Sequence, residues 1–275
     1  LGGNVITTAA YDATLIAWAA QVPTTALTLN VNSTEYTLGG EAEAARTALI
    51  NTYGWTITDG GGAAEVPFVF DATPFAGAGT VTIRTQAGFT YDYDVSVSTG
   101  ESFTNQTSDL VMTFGDNVTR TFTVSGLFPG FKCENDASAR FQVQSWGSQP
   151  WRSLYAAFWH PTITLTSVGS DIPNLFLCDS LYQTFRGVIS FPASNNLSQW
   201  KTSQVTNFRG CFRDGTGGLN NIDVTNWDTG KATVMMEMFS GNFSDWSLTS
   251  TDVSQWNTRN VTIFQQMFYN NYTFN

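Results

Sequence analysis

The sequence predicts a mixed α/β repeat solenoid interrupted by an all-β sandwich. Three observations predict it: a ladder of tryptophan-anchored units in the second half, a switch to strictly alternating apolar residues in the middle, and two helix-plus-strand patterns at the front.

The ladder comes first because a missed repeat miscalls the whole fold. Five, eight, eleven and twelve residues after Trp200 stand Val205, Phe208, Cys211 and Phe212. The same offsets give Ala232, Met235, Met238 and Phe239 from Trp227, and Val261, Phe264, Met267 and Phe268 from Trp256. From Trp146 they give Trp151, Leu154, Ala157 and Phe158, and a weaker unit from Pro173 supplies Cys178, Leu181, Thr184 and Phe185. The anchors Trp146, Pro173, Trp200, Trp227 and Trp256 thus recur at one constant interval, which lengthens by two only at the last step. Steps of three and four place side chains on one helical face, so each unit reads as carrying a short amphipathic helix. The β-branched stretches before the anchors, Ile222–Trp227 and Asp252–Trp256, read as short strands. A unit of one short strand and one short helix cannot bury an apolar face alone, so neighbouring units must stack. Met267–Asn275 stops within a unit, which leads us to expect that the natural chain continues.

At the front, Tyr11–Gln21 places Leu15, Trp18 and Ala19 on a helical stripe and Leu27–Val31 alternates as a strand. A second helix, Glu41–Asn51, follows Gly39-Gly40 with acids in its first turn, where the helix dipole favours them. Trp55–Asp59 is then a closing strand, and Gly60-Gly61-Gly62 reads as a boundary. From Val66 to about Gln142 the period becomes two. Val81–Arg84, Tyr91–Val97, Leu110–Phe114 and Arg120–Val124 are strands between Gly, Asn, Asp and Ser turns, enough for one immunoglobulin-like sandwich. The expected division is 1–62 as the end or cap of a preceding repeat array, 63–142 as the all-β domain, and 143–275 as the start of a second array.

Composition narrows the function. The 275 residues carry 12 Lys and Arg against 22 Asp and Glu, a net charge of −10, so the phosphate-neutralising surface that nucleic acid requires is missing. Abundant Thr, Ser, Asn, Gly and aromatics with few charges suit a β-rich outward-facing protein. No stretch approaches the roughly 20 apolar residues of a membrane span. The start, Leu1-Gly2-Gly3-Asn4, has neither Met nor a basic segment followed by an apolar run, which reads as a mature or internal start. Three cysteines, Cys133, Cys178 and Cys211, are too few and scattered for a disulfide framework.

The phrases Asp223–Thr229 with Met235-Met236-Glu237-Met238-Phe239, and Asp252–Thr258 with Val261 and Met267-Phe268, resemble the BspA-type leucine-rich-repeat surface proteins. Tyr11–Ala19, continuing through Ala44–Ile50 to Gly54–Gly61, is similar to the segment that closes such arrays, and Gly126–Pro129 with Val143–Gly147 looks like the lead-in before a first repeat. The units at Trp146 and Pro173 depart from the pattern, with Ala157-Phe158 and Thr184-Phe185 in place of Met-Phe. The resemblance implies a leucine-rich-repeat-like solenoid in a bacterial cell-surface protein used in adhesion, or the related repeats of phage tail fibres. It further implies an extracellular place, or a virion, and partners among host or cell-surface glycans or proteins and neighbouring modules of the same long chain.

The inventory for catalysis is poor. His160 is the only histidine, so a Ser/His/Asp site would have to use it, and its place between Trp159 and Pro161 suits a turn. Asp92 with Asp94 and Asp223 with Asp228 are paired carboxylates of the kind a glycosidase needs, but in alternating strands and repeat turns they read as solvated or capping groups. The same acids lack the spacing of a dedicated calcium loop. The glycine-rich stretches lack a P-loop lysine, and Cys178 and Cys211 fall on the apolar face of the repeat, as buried thiols do. We therefore expect no enzyme, cofactor or metal. Sequons at Asn32, Asn105, Asn117, Asn196, Asn242, Asn260 and Asn271 reflect a chain rich in Asn, Ser and Thr. Aromatic rings can stack on sugar faces and dominate hot spots. Those off the repeat template, Trp159, Trp246, Tyr269 and Tyr272, are the candidates for ligand contact.

Overall fold

The computed structural model describes residues 6–75, 77, 79–134, 138–160, 163–215, 222–241 and 252–271. At the front, α1 (Thr8–Ala19) opens on Thr7, whose hydroxyl accepts from the Ala10 N–H and so satisfies one of the donors a helix start leaves over. β1 (Thr28–Asn30) and β2 (Tyr36–Thr37) follow. α2 (Glu41–Asn51) spans the expected residues, with Glu41 and Glu43 in its first turn, and leads to β3 (Thr56–Thr58) and β4 (Gly62–Ala63). β1 pairs with β3 and β2 with β4, both parallel, Thr28 lying opposite Thr56. Tyr11, Leu15, Leu49 and Trp55 form a small core between helices and strands. Trp18, expected in the buried stripe, sits at its rim, 36% exposed and tilted against Trp55 at 5.6 Å.

The middle region is β-rich, and its architecture corrects the expected immunoglobulin-like sandwich. β5 (Phe68–Pro74), β7 (Asp92–Val97), β8 (Ser102–Gln106), β10 (Arg120–Leu127) and β11 (Ala139–Ser145) make one antiparallel sheet in the order β11-β5-β10-β7-β8. β6 (Thr80–Ile83) and β9 (Leu110–Thr113) form only a separate two-stranded ribbon. Five strands and a ribbon replace two sheets of comparable size. The expected strands match β6, β7, β9 and β10; β5, β8 and β11 were not foreseen. β5 escaped notice because Phe68-Val69-Phe70 is apolar on both sides and hides the period of two, although only Phe68, Phe70, Ala72 and Pro74 are buried.

The second half overturns the α/β solenoid. Among the described residues from 143 onward there is no α-helix, only the 3-10 turn Leu197–Gln199, so both described α-helices lie in the amino-terminal unit and the other described residues are β and turn. Consecutive units, here called rungs, meet through single parallel bridges that join Ser153, Ser180, Asn207, Val234 and Ile263, each seven residues past its anchor. The stretches expected as strands are turns: the Trp227 N–H donates to the Val224 carbonyl at 3.0 Å and the Trp256 N–H to Val253 at 3.1 Å.

The reason is visible at the tenth position after each anchor. Ala156, Gln183, Gly210, Glu237 and Gln266 all hold φ between +52° and +57°. A left-handed residue breaks a right-handed helix and is what the third position of a type II turn requires. Each rung accordingly makes two linked turns, with Cys211 N–H donating to Phe208 and Arg213 N–H to Gly210, at 3.1 and 3.0 Å. The turns point positions eight, eleven and twelve inward, as a helix would. The terminal phenylalanines become a stacked column, Phe158, Phe185, Phe212, Phe239 and Phe268, with successive centroids 5.2, 5.3, 5.6 and 5.7 Å apart and rings within 9° of parallel. One continuous apolar core runs from Phe68 in β5 to Met267 in the fifth rung, so the β region and the rungs share their interior. Among the described residues no helix is long and apolar enough to cross a membrane.

The lateral face of the rungs as candidate binding site

The turn geometry that buries positions eight, eleven and twelve in the first four rungs leaves nine and thirteen on the flank, all but Ser240 at least partly exposed. Position nine holds Tyr155, Tyr182, Arg209, Met236 and Gln265; position thirteen holds Trp159, Arg186, Arg213, Ser240 and Tyr269. In the first column Tyr155 and Tyr182 stack at 5.2 Å, with the Arg209 guanidinium 5.5 Å from the Tyr182 centroid and the Lys132 ammonium 6.0 Å from that of Tyr155. Two rings are thus sandwiched between two cations, an attraction between charge and ring quadrupole. Beside them the Arg186 guanidinium lies 4.6 Å from the Trp159 ring centre.

The charges are cross-linked between rungs. Arg186 and Arg213 both reach Asp214, at 2.9 and 3.2 Å. Arg213 also stands 2.6 Å from Glu237 Oε2, a close charge contact outside hydrogen-bond alignment, and Arg209 lies 3.6 Å from the same oxygen. Arg209 is the most open of these cations, 41% exposed. At the near end Lys132 holds the Glu134 carboxyl below its usual range. Burial, and then the hydrogen bond that Tyr155 donates to Glu134 at 2.9 Å, push the Tyr155 phenol up to about 12. Pairs this exposed contribute at most about 1 kcal/mol each. Their effect is to fix a ribbon of rings and guanidinium groups able to present directed N–H donors to carboxylate, sulfate or carbonyl oxygens.

Of the residues singled out for ligand contact, Trp159 belongs to this ribbon, although Arg186 covers a ring face that a sugar would need. Tyr269 occupies the same column three rungs beyond Arg186 and is 54% exposed. Trp246 and Tyr272 lie outside the described residues. Tyr155, Tyr182, Arg186, Arg209 and Arg213 were missed; the signal was present as large polar-edged side chains recurring at two fixed offsets.

The other candidates are placed separately. His160 is buried with its ring 5.3 Å from Phe75. Asp94 accepts from the Asn105 N–H, Asp223 from Thr225 and Asp228 from Gly230, each a local turn or strand contact. Cys178 and Cys211 are fully buried in the rung core, and burial pushes the Cys178 thiol up to about 12 and Cys211 well above its ordinary value. Among the described residues no three His, Cys, Asp or Glu side chains converge as metal ligands would. The junction of the three regions is stitched by Arg152 to Glu41 at 2.8 Å and by the Gly126 N–H to both Glu65 oxygens at 3.0 and 3.1 Å. Beside it a cleft of about 380 Å³ opens between Thr8 and Thr37 on one side and Ile172, Phe176 and Lys201 on the other.

No curated protein and no solved structure matches the chain. Residues 179–275, about a third of it and the greater part of the rungs, are similar to the family described as "Mycoplasma protein of unknown function, DUF285".

Proposed function

We propose that this chain is a non-enzymatic extracellular module of a large surface protein, acting in adhesion by holding a lateral ribbon of Tyr and Arg side chains on a stiff stack of rungs. The observation that carries the reading is the recurrence of that ribbon at fixed positions on successive rungs, Tyr155 and Tyr182 continuing into Arg209, Trp159 into Arg186 and Arg213. The resemblance of the Trp-to-Met-Phe phrases to BspA-type surface proteins supports it, independently of the leucine-rich fold that the rungs do not adopt. Tyr and Arg are the residues that most often concentrate binding energy at interfaces. Repetition along a rod adds avidity through weak contacts. The partners are cell-surface glycans or proteins, and the neighbouring modules of the same long chain.

The test is a binding screen of the intact chain against immobilised glycans and whole cells, repeated with Tyr182→Ala and Arg209→Ala. Each variant is expected to weaken the captured interaction by about 30-fold, the roughly 2 kcal/mol of a hot spot, while the thermal midpoint stays near that of the parent. Equal binding by parent and variants, or no ligand retained at all, defeats the proposal.

A further inference from the structure

The tyrosine rings of the lateral ribbon are not bare platforms. Tyr155 and Tyr182 face one another at 5.2 Å, the Arg209 guanidinium stands 5.5 Å from the Tyr182 centroid, and the Lys132 ammonium 6.0 Å from that of Tyr155. A neutral sugar that binds by laying its apolar face on a ring would have to displace a cation here and forfeit the attraction between charge and ring.

What the ribbon has left over are N–H donors, five to each guanidinium. Arg186 and Arg213 each donate a hydrogen bond through Nε to Asp214, at 2.9 and 3.4 Å. Arg209 donates none to a described residue. Its Nε is buried without an acceptor, and Oε2 of Glu237, which lies 3.6 Å away, stands 2.6 Å from Arg213. The Tyr182 hydroxyl, on the ring that Arg209 covers, likewise makes no hydrogen bond to a described residue. The flank sets Lys132, Arg186, Arg209 and Arg213 against Glu134, Asp214 and Glu237, an excess of one positive charge. The rest of the chain, with 8 of the 12 basic and 19 of the 22 acidic residues, stands at −11.

We infer that this flank takes a glycan bearing isolated carboxylates, a uronate-type sugar whose carboxylate is gripped by Arg209 and whose hydroxyls meet that of Tyr182. The inference rests on the adhesive reading above and names the ligand class of the same site. Guanidinium and carboxylate meet as a planar two-point pair, which a neutral sugar cannot offer. A polyanion is disfavoured, because one excess charge on the flank does not offset −11 on the remainder. A single carboxylate needs no more than that excess, and at physiological salt the remainder is screened beyond about 8 Å. A peptide added as a strand is disfavoured as well. Along this flank the backbone is spent between rungs, the Gln183 N–H donating to Arg209 and the Gly210 N–H to Met236, both at 2.9 Å, so no strand edge is open there.

The test measures binding of the intact chain, by saturation-transfer NMR and calorimetry, to two oligosaccharides that differ only in a terminal glucose or glucuronate, beside an oligo-aspartate peptide. The glucuronate form is expected to bind at least about tenfold tighter at low salt, the discrimination of a charge-assisted pair, and that preference to shrink in about 1 M salt. Arg209→Gln is expected to bring the ratio to about one. Arg259→Gln, which removes the same charge from an exposed position on the fifth rung, should leave the ratio unchanged. A preference for glucuronate that survives in Arg209→Gln overturns the inference. Capture of neutral glycans alone, or of the peptide alone, weakened by Tyr182→Ala, overturns it too but leaves the adhesive reading standing; capture of nothing defeats both.

Discussion

The amino-terminal unit and the rungs carry the same three-and-four spacing of apolar residues and pair in parallel at nearly the same interval along the chain, Thr28 with Thr56 and Asn207 with Val234. Yet the first builds helices and the second builds turns. The difference lies in where the left-handed residue stands. In the amino-terminal unit Gly54, at φ +69°, comes after α2 has ended, where left-handed glycine closes a helix. In each rung the left-handed residue stands three positions past the bridge, as the third residue of a turn, and in the first four rungs its N–H is given to the neighbouring rung. Only seven residues separate the bridge from the last cross-rung donor, as from Asn207 to Asp214, too few for a stable isolated helix. Four bonds to the adjacent rung satisfy the backbone instead. Apolar spacing reports which side chains face inward; it is silent on whether the backbone bonds to itself or to its neighbour.

The comparison breaks most sharply in the phenylalanine column. Phe212→Ala removes a fully buried ring stacked on Phe185 and Phe239 and is expected to cost about 3–5 kcal/mol in a urea titration. Trp18→Ala, at the rim of the amino-terminal core, should cost less than about half of that. A cost for Phe212→Ala no larger than for Trp18→Ala would mean that the rungs do not share a packed core.

A paired glycine test sharpens the contrast. Gln266→Gly places glycine at φ +57° on an exposed position and should stabilise by up to about 1 kcal/mol, because the left-handed conformation is unfavourable for a residue with a Cβ. Ala44→Gly, exposed within α2, should destabilise by about 0.5–1 kcal/mol. If both substitutions destabilise alike, the rung backbone is helical after all.

The smallest effect is a slope. Asp12 is fully buried, accepting from the Thr37 N–H and hydroxyl at 2.9 and 2.6 Å, and burial raises its pKa. The folded state therefore holds this proton more tightly than the unfolded chain, so the stability it contributes is greatest below the unfolded carboxylate range and declines as the pH rises through the folded value. Asp12→Asn keeps an acceptor for Thr37 without a charge and should flatten that decline in thermal midpoints followed from pH 4 to 8. An unchanged difference between parent and variant across that range would show that Asp12 is not titrating in the fold. Asp59, in the same unit, runs the other way: burial raises it, but the hydrogen bonds from Arg46 and Tyr11 outweigh this and its pKa is lowered, so its contribution is lost in acid.

By itself the sequence determined most of the residues that are inside and where the repeats begin. Trp146, Trp200, Trp227 and Trp256 are buried as their recurrence foretold, α2 spans its expected residues, and four β strands stand close to their expected positions because alternation and capping are local properties. Tertiary structure alone decided that the units are turns, that β5 lies between β11 and β10 in the sheet, and that Tyr155, Tyr182, Arg186, Arg209 and Arg213 form one flank. These are questions of which neighbour receives a hydrogen bond. A backbone N–H is the same donor whether its acceptor lies one helical turn back or a whole repeat onward in the next rung. Only stacking, which places an acceptor opposite each forward donor, chooses between them.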